Sequence, residues 1–242
     1  MPALRDLSVA SYNIHKGVGT DRRRDLARTA AVIAEIGADI LALQEADTRF
    51  GTRTGLLDLD RIRRDLGLIA VPLDGVGEAH GWHGNLLLVR NALVQEVHQL
   101  ILPGLEPRGA LVTDLLIAGH PLRVVNAHLG LLPGSRAAQA RALLGKISGL
   151  DGRPTLLMGD LNEWRGAGAA FKALGKHFTI APPRPSFPSR YPLLALDRMM
   201  VSPQGELFDV AIHDSPLSRR ASDHLPIKAT LRVGPFGKEG PT

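Results

Sequence analysis

The chain contains no cysteine, which excludes disulfide staples and thiolate metal sites; any catalytic metal must be held by oxygen or imidazole. The redox compartment stays open on that count. Aromatic residues make up only 4% of the chain, few for a groove that stacks successive nucleobases. No apolar stretch approaches the roughly 18 residues of a spanning helix, so a transmembrane segment is not expected. Residues Met1 to Asp6 lead into the first apolar run without a basic region, a longer apolar segment or a small-residue cleavage site, which makes cytoplasmic residence the default expectation. Nothing in the sequence signals an obligate protein partner.

With 242 residues, 44% hydrophobic and 22% charged, there is material for a sizeable core. The expectation is one domain over residues 1–233 and a Gly/Pro-rich, frayed tail over 234–242. A formal charge of +5 and a pI near 10.0 suit an anionic partner such as a phosphate, a nucleic acid or a lipid headgroup. Much of the excess lies in Arg22-Arg23-Arg24 and Arg61-Ile62-Arg63-Arg64, runs that read as solvated helix faces.

Short apolar runs recur at Leu7–Ile14, Ile40–Leu43, Leu86–Val89, Leu111–Ile117, Leu122–Ala127, Thr155–Met158 and Ile227–Val233, each of strand length. Helical periodicity appears over Arg22–Ile36, with Asp21 placed to cap it, and over Ser135–Leu150. Weaker patterns cover Asp58–Leu66 and Ala167–Leu174, and Gly37, Gly67 and Gly175 stand where helix ends favour a left-handed residue. Many strands with few interleaved helices argue for an α+β chain in which two mixed sheets pack face to face with helices outside, a four-layer α/β/β/α sandwich. The proline-rich stretch 182–192 reads as a long surface loop.

Polar residues cluster where strands end: Asn13, Glu45, His128, Asp160 with Asn162, Asp197, and Asp223 with His224. Taken singly, each could be a turn residue bonding its own backbone. Glu45 is harder to dismiss, because a carboxylate after an apolar strand is costly to bury without a compensating cation or hydrogen bonds. Together, Asn13, Glu45 and Asp223 are hard oxygen donors suited to Mg²⁺, with Mn²⁺ as the alternative. Asp160, His128 and His224 supply an acid or base and imidazole donors, and Asn162 can orient a phosphate oxygen or an attacking water. His80-Gly81-Trp82-His83 has metal-like spacing but lacks a third ligand nearby and reads as a flexible loop. Gly17-Val18-Gly19 lacks the lysine of a phosphate-cradling loop and reads as a turn.

These blocks, in this order, resemble the endonuclease/exonuclease/phosphatase superfamily: Ser-Tyr-Asn-Ile at 11–14, Leu-Gln-Glu at 43–45, Gly-Asn-Leu-Leu-Leu at 84–88, Asn-Ala-His-Leu at 126–129, Gly-Asp-Leu-Asn at 159–162, Leu-Asp-Arg at 196–198 and Ser-Asp-His-Leu-Pro at 222–226. The resemblance implies the deoxyribonuclease-I-like sandwich and metal-dependent phosphoester hydrolysis. It implies that Glu45 is the principal metal ligand, with Asn13 and Asp223 near the metal. Asp160 would take a proton from water, Asn162 would hold that water, and His224, oriented by Asp197, would contact the scissile phosphate. His128 is similar to the second histidine of the sphingomyelinase-like and deoxyribonuclease-like branches, where apurinic-site nucleases usually carry tyrosine. Arg108 and Arg190 are candidate phosphate contacts, with surface ion pairs as the alternative. The Asn-Ile-His-Lys-Gly opening looks most like small bacterial members of undefined substrate. The substrate class, whether nucleic acid, phospholipid headgroup or inositol phosphate, stays open at this level, as does a binding module that has lost catalysis.

Overall fold

The computed structural model describes residues 5–48 and 53–233; the expected tail over 234–242 lies outside the described residues. The strands are β1 (Arg5–Asn13), β2 (Ile40–Gln44), β3 (Ile69–Ala70), β4 (Leu86–Val89), β5 (Ala92–Leu102), β6 (Arg108–Ile117), β7 (His120–His128), β8 (Thr155–Asp160), β9 (Thr179–Ile180), β10 (Asp197–Val201), β11 (Gly205–Ile212) and β12 (Ile227–Val233). The helices are α1 (Leu26–Ile36), α2 (Leu59–Leu66), α3 (Pro133–Ser148), α4 (Ala169–Leu174) and α5 (Ser218–Ala221).

The strands form two six-stranded sheets, ordered β11-β12-β1-β2-β4-β3 and β5-β6-β7-β8-β10-β9. Each is mixed: β1–β2 and β7–β8 are parallel pairs, and the other pairings are antiparallel. Because a strand sends alternate side chains to opposite faces, Leu7 and Val9 of β1 enter the layer between the sheets while Ala10, Tyr12 and Ile14 pack outward beneath α1. A third apolar cluster, including Val125, Leu157 and Phe171, lies under α3 and α4. Three apolar layers separate four layers of structure, the expected α/β/β/α sandwich.

The differences from expectation are local. The first helix begins at Leu26, capped by the Asp25 side chain on the Arg28 N–H, and not at Arg22 under Asp21. Arg22 takes a left-handed φ of 62° and Arg24 bridges Val18, so the chain there is a turn; Asp21 instead pairs with Arg28. The Arg22–Arg24 run is exposed, as are Arg61, Arg63 and Arg64. Gly37 and Gly67 are left-handed C-caps, whereas Gly175 has right-handed helical geometry. The helix expected from Ser135 starts at Pro133, a residue preorganised for a first helical turn. Strands β5 and β11 are sheet edges whose solvent-facing residues break up any apolar run, which hides them from hydropathy. The 182–192 loop is only partly a surface feature, since Ser186 and Ser189 are fully buried. The His80–His83 segment is tied down by Asp47, which accepts from the His80 and Gly81 N–H groups, and by a Trp82–Asn85 bridge.

Candidate active site

The alternation that fills the inter-sheet layer with apolar residues delivers polar ones to the same layer at one end. Leu7 and Val9 are followed on their face by Ser11 and Asn13; Ile40 and Ala42 by Gln44; Leu122 and Val124 by Asn126 and His128; Leu156 and Met158 by Asp160. Strand register then aligns the functional groups, because His128 on β7 pairs with Asp160 on β8, which pairs with Asp197 on β10. This close approach requires Gly159, where an added Cβ would lie 1.9 Å from the Ala127 carbonyl oxygen.

Asp160 is 2% exposed and bonded on several sides. The Asn13 amide crosses from the other sheet and donates to its Oδ2 at 2.9 Å, and the Asn162 N–H donates to its Oδ1 at 3.0 Å. The Asn162 side chain donates to the Leu129 carbonyl, fixing the turn that follows β8. Two imidazole nitrogens face Oδ2, His128 Nε2 at 3.4 Å and His224 Nε2 at 3.7 Å.

Those imidazoles are prepared in opposite ways. Arg108 Nη1 donates to His128 Nε2 at 2.7 Å; a guanidinium can only donate, so this nitrogen must accept and the ring is neutral with its proton on Nδ1. Burial and the Arg108 charge together outweigh the Asp160 carboxylate and lower the His128 pKa to about 4. His224 Nδ1 donates to Asp197 Oδ2 at 2.8 Å, and the Ser186 hydroxyl donates to the same oxygen at 2.5 Å. Burial opposes a charge on His224, but Asp197, Asp160 and Asp223 prevail and raise its pKa to about 10. A neutral and a cationic imidazole therefore flank one carboxylate.

The Asn13-Ile14-His15-Lys16 turn reaches the remaining acids. His15 Nδ1 lies 3.6 Å from Asp223 Oδ1, and the Lys16 ammonium bonds the Glu45 carboxylate. His15, Lys16 and Glu45 all hold positive φ (45°, 56° and 56°), uncommon for residues with a Cβ and often associated with functional sites. Gly84 packs directly over the Glu45 backbone. Burial works against the charged form of Glu45, but His128 and Lys16 lower its pKa to about 2, so the carboxylate is ionised. Glu45, Lys16, Arg53, His83, Arg108 and His128 line one cleft. Arg190 is placed elsewhere: exposed, it donates to the Thr20 carbonyl and shares a separate cleft with Tyr191 and Arg219. Asp160, Asp197 and His224 bring one ligand atom each within 4.8 Å of one another, a grouping that can hold a metal ion, although Asp197 Oδ2 and His224 Nδ1 are already joined.

The supporting residues were not singled out in the sequence. Gln44 Nε2 donates to Asn126 Oδ1 at 2.8 Å, and Asn126 Nδ2 donates to the Leu43 and Leu86 carbonyls, so a buried amide pair joins the two sheets beneath Asp160. Both carry a legible signal, standing on the apolar parity of their strands where a polar residue needs a partner. Ser186 lacks any such signal, since it stands in the irregular loop before β10 and not on the parity of a strand.

Residues 10–224 match the endonuclease/exonuclease/phosphatase family model. The chain is 31% identical to the uncharacterised protein YbhP of Escherichia coli K12 over 93% of this chain and 96% of that one. Among solved structures it is similar to an endonuclease/exonuclease/phosphatase protein of Beutenbergia cavernae, at a TM-score of 0.73 and 23% identity, covering 95% of this chain and 72% of that one. It is also similar to Danio rerio TDP2 complexed with a single-stranded DNA product, at a TM-score of 0.70 and 18% identity, covering 93% and 98% respectively. With the motif order, the paired sheets and the Asp–His cluster in agreement, the chain belongs to the endonuclease/exonuclease/phosphatase family.

Proposed function

We propose that the protein is a metal-dependent phosphodiesterase in which Asp160 takes a proton from the attacking water. The observation that carries this reading is the buried Asp160 carboxylate set between a neutral and a cationic imidazole, groups in one site whose proton affinities are pushed apart. Asn13 and the Asn162 N–H fix the carboxylate, so it can accept a proton without turning. His224, with its Nδ1 proton committed to Asp197, presents Nε2–H as a charged donor to a phosphoryl oxygen, where it stabilises charge gained in the transition state. Arg108, held by Glu106, keeps His128 in the tautomer that cannot protonate the base.

The donor set fits a hard divalent cation. Glu45 is ionised and open to a cleft, where it already pairs with one cation, the Lys16 ammonium. Glu45 would hold the ion, with Asn13 and Asp223 beside it, and Mg²⁺ or Mn²⁺ matches such oxygen donors. When bound, the ion supplies Lewis-acid polarisation of the phosphoryl group.

The test is hydrolysis of bis(p-nitrophenyl) phosphate. Turnover is expected with Mg²⁺ and lost with EDTA, and Asp160→Asn is expected to remove it. Turnover that ignores both chelator and substitution would overturn the reading. A nucleic-acid substrate is the second reading, favoured by the basic pI and by the DNA-bound TDP2 structure of the same fold.

A further inference from the structure

Nine large apolar side chains are exposed among the described residues, and six stand on four loops that lead into or out of the site strands: Leu105, Leu131, Leu132, Trp164, Tyr191 and Leu193, between 48% and 86% exposed. Hydrogen bonds bind three of these loops together and to the site. Glu106 accepts the Leu131 N–H with one oxygen and Arg108 with the other, and Arg108 donates to His128. Buried Arg136 donates to the Leu131 carbonyl and to Glu163, the neighbour of Trp164. On the opposite side, Ser189 N–H and Oγ donate to the Asp223 and Ser222 carbonyls, seating the Tyr191–Leu193 loop against the segment that carries His224.

The charge on these loops is one-sided. Over residues 103–107, 129–132, 161–168 and 182–196 there are two carboxylates, Glu106 and Glu163, and both turn inward onto Arg108 and Arg136. The exposed charges are Arg165, whose guanidinium lies over the Trp164 ring, and on the 182–196 loop Arg184 and Arg190, which also donate to the Val210 and Thr20 carbonyls. Exposed apolar side chains interleaved with arginines, on loops that flank the site and its neighbouring cleft, match the surface of a bilayer carrying anionic lipid: aliphatic and indole groups enter the headgroup–acyl boundary while guanidinium groups meet phosphates. Four of the six side chains are leucine, which has no flat face for a nucleobase but gains by leaving water.

We infer that this rim docks on an anionic membrane and that the scissile bond is the headgroup phosphodiester of a phospholipid, which rests on the proposed hydrolase reading. In the step, the water gives one proton to Asp160 as its oxygen bonds to phosphorus and keeps the other on the product phosphate, while the P–O bond to one alcohol breaks and the leaving oxygen takes a proton from solvent.

The full chain is to be sedimented with vesicles of phosphatidylglycerol and phosphatidylcholine, and with phosphatidylcholine alone. Binding to the anionic vesicles is expected, with a blue shift in Trp164 emission that is absent from Trp164→Phe. The Leu131→Ser/Leu132→Ser double variant should bind at least about tenfold more weakly, while keeping wild-type hydrolysis of bis(p-nitrophenyl) phosphate, which also shows that it is folded. No binding to anionic vesicles, or equal binding by wild type and double variant, overturns the inference. So does tight, Trp164-dependent binding of oligo(dT) without vesicle binding. If vesicles are not bound but Asp160-dependent hydrolysis persists, the docking surface alone fails; if vesicles are bound and no phosphodiester is cleaved, the docking surface stands and the hydrolase reading fails.

Discussion

The floor and the rim of the cleft invert each other. At the floor, Asp160, Asp197, His128 and His224 are polar groups almost completely removed from water, each held by named partners; at the rim, Leu131, Trp164, Tyr191 and Leu193 are apolar groups left in water. Burying the floor costs solvation that its hydrogen bonds offset, and exposing the rim forgoes burial that nothing in the chain restores. A fold gains from neither arrangement alone. Both become intelligible if the floor is arranged for a reacting phosphate and the rim for what carries it.

That contrast can be broken most forcefully at Asp160. Asp160→Asn keeps the size of the side chain but removes the base and leaves one acceptor where Asn13 and the Asn162 N–H need two, and kcat on a soluble phosphodiester should fall by about 10³-fold or more with an unchanged circular-dichroism spectrum. His224→Gln removes the charged donor and should lower kcat by about 10²-fold to 10³-fold with less effect on KM. Gln44→Leu leaves the Asn126 carbonyl buried without its donor and should cost about 1–3 kcal/mol in urea unfolding, because the loss falls on the bond between the sheets.

The two histidines predict a stability optimum. His128 has its folded pKa lowered to about 4, so the unfolded chain takes up a proton first and this part of the stability is lost as pH falls from 6.5 toward 4. His224 has its folded pKa raised to about 10, so its contribution is complete below 6.5 and is lost as pH rises through about 10. Urea midpoints measured against pH should flatten on the acid side in His128→Gln and on the alkaline side in His224→Gln. The smallest effect belongs to the rim: Trp164→Ser should leave kcat on a soluble substrate within about twofold and the urea midpoint nearly unchanged, as expected for an exposed side chain.

The sequence by itself determined the layers, because period-two runs such as Leu7–Ile14 and Leu122–Ala127 can satisfy both faces only between packed layers. It also determined which residues end the strands, since Asn13, His128 and Asp160 stand on the same parity as the apolar residues before them. Edge strands β5 and β11 escaped it because water, not a core, accepts their outward residues. Only the tertiary structure decided what each group became. Register set His128, Asp160 and Asp197 in one row, and the approach of the two sheets brought Asn13 onto Asp160 and Gln44 onto Asn126. The loop leading into β10 folded back to set Ser186 on Asp197, and the convergence of Asp197, Asp160 and Asp223 turned an ordinary histidine into a cation. Such properties arise from distances between residues remote in the chain, and proton affinity depends on those distances and on the water excluded with them.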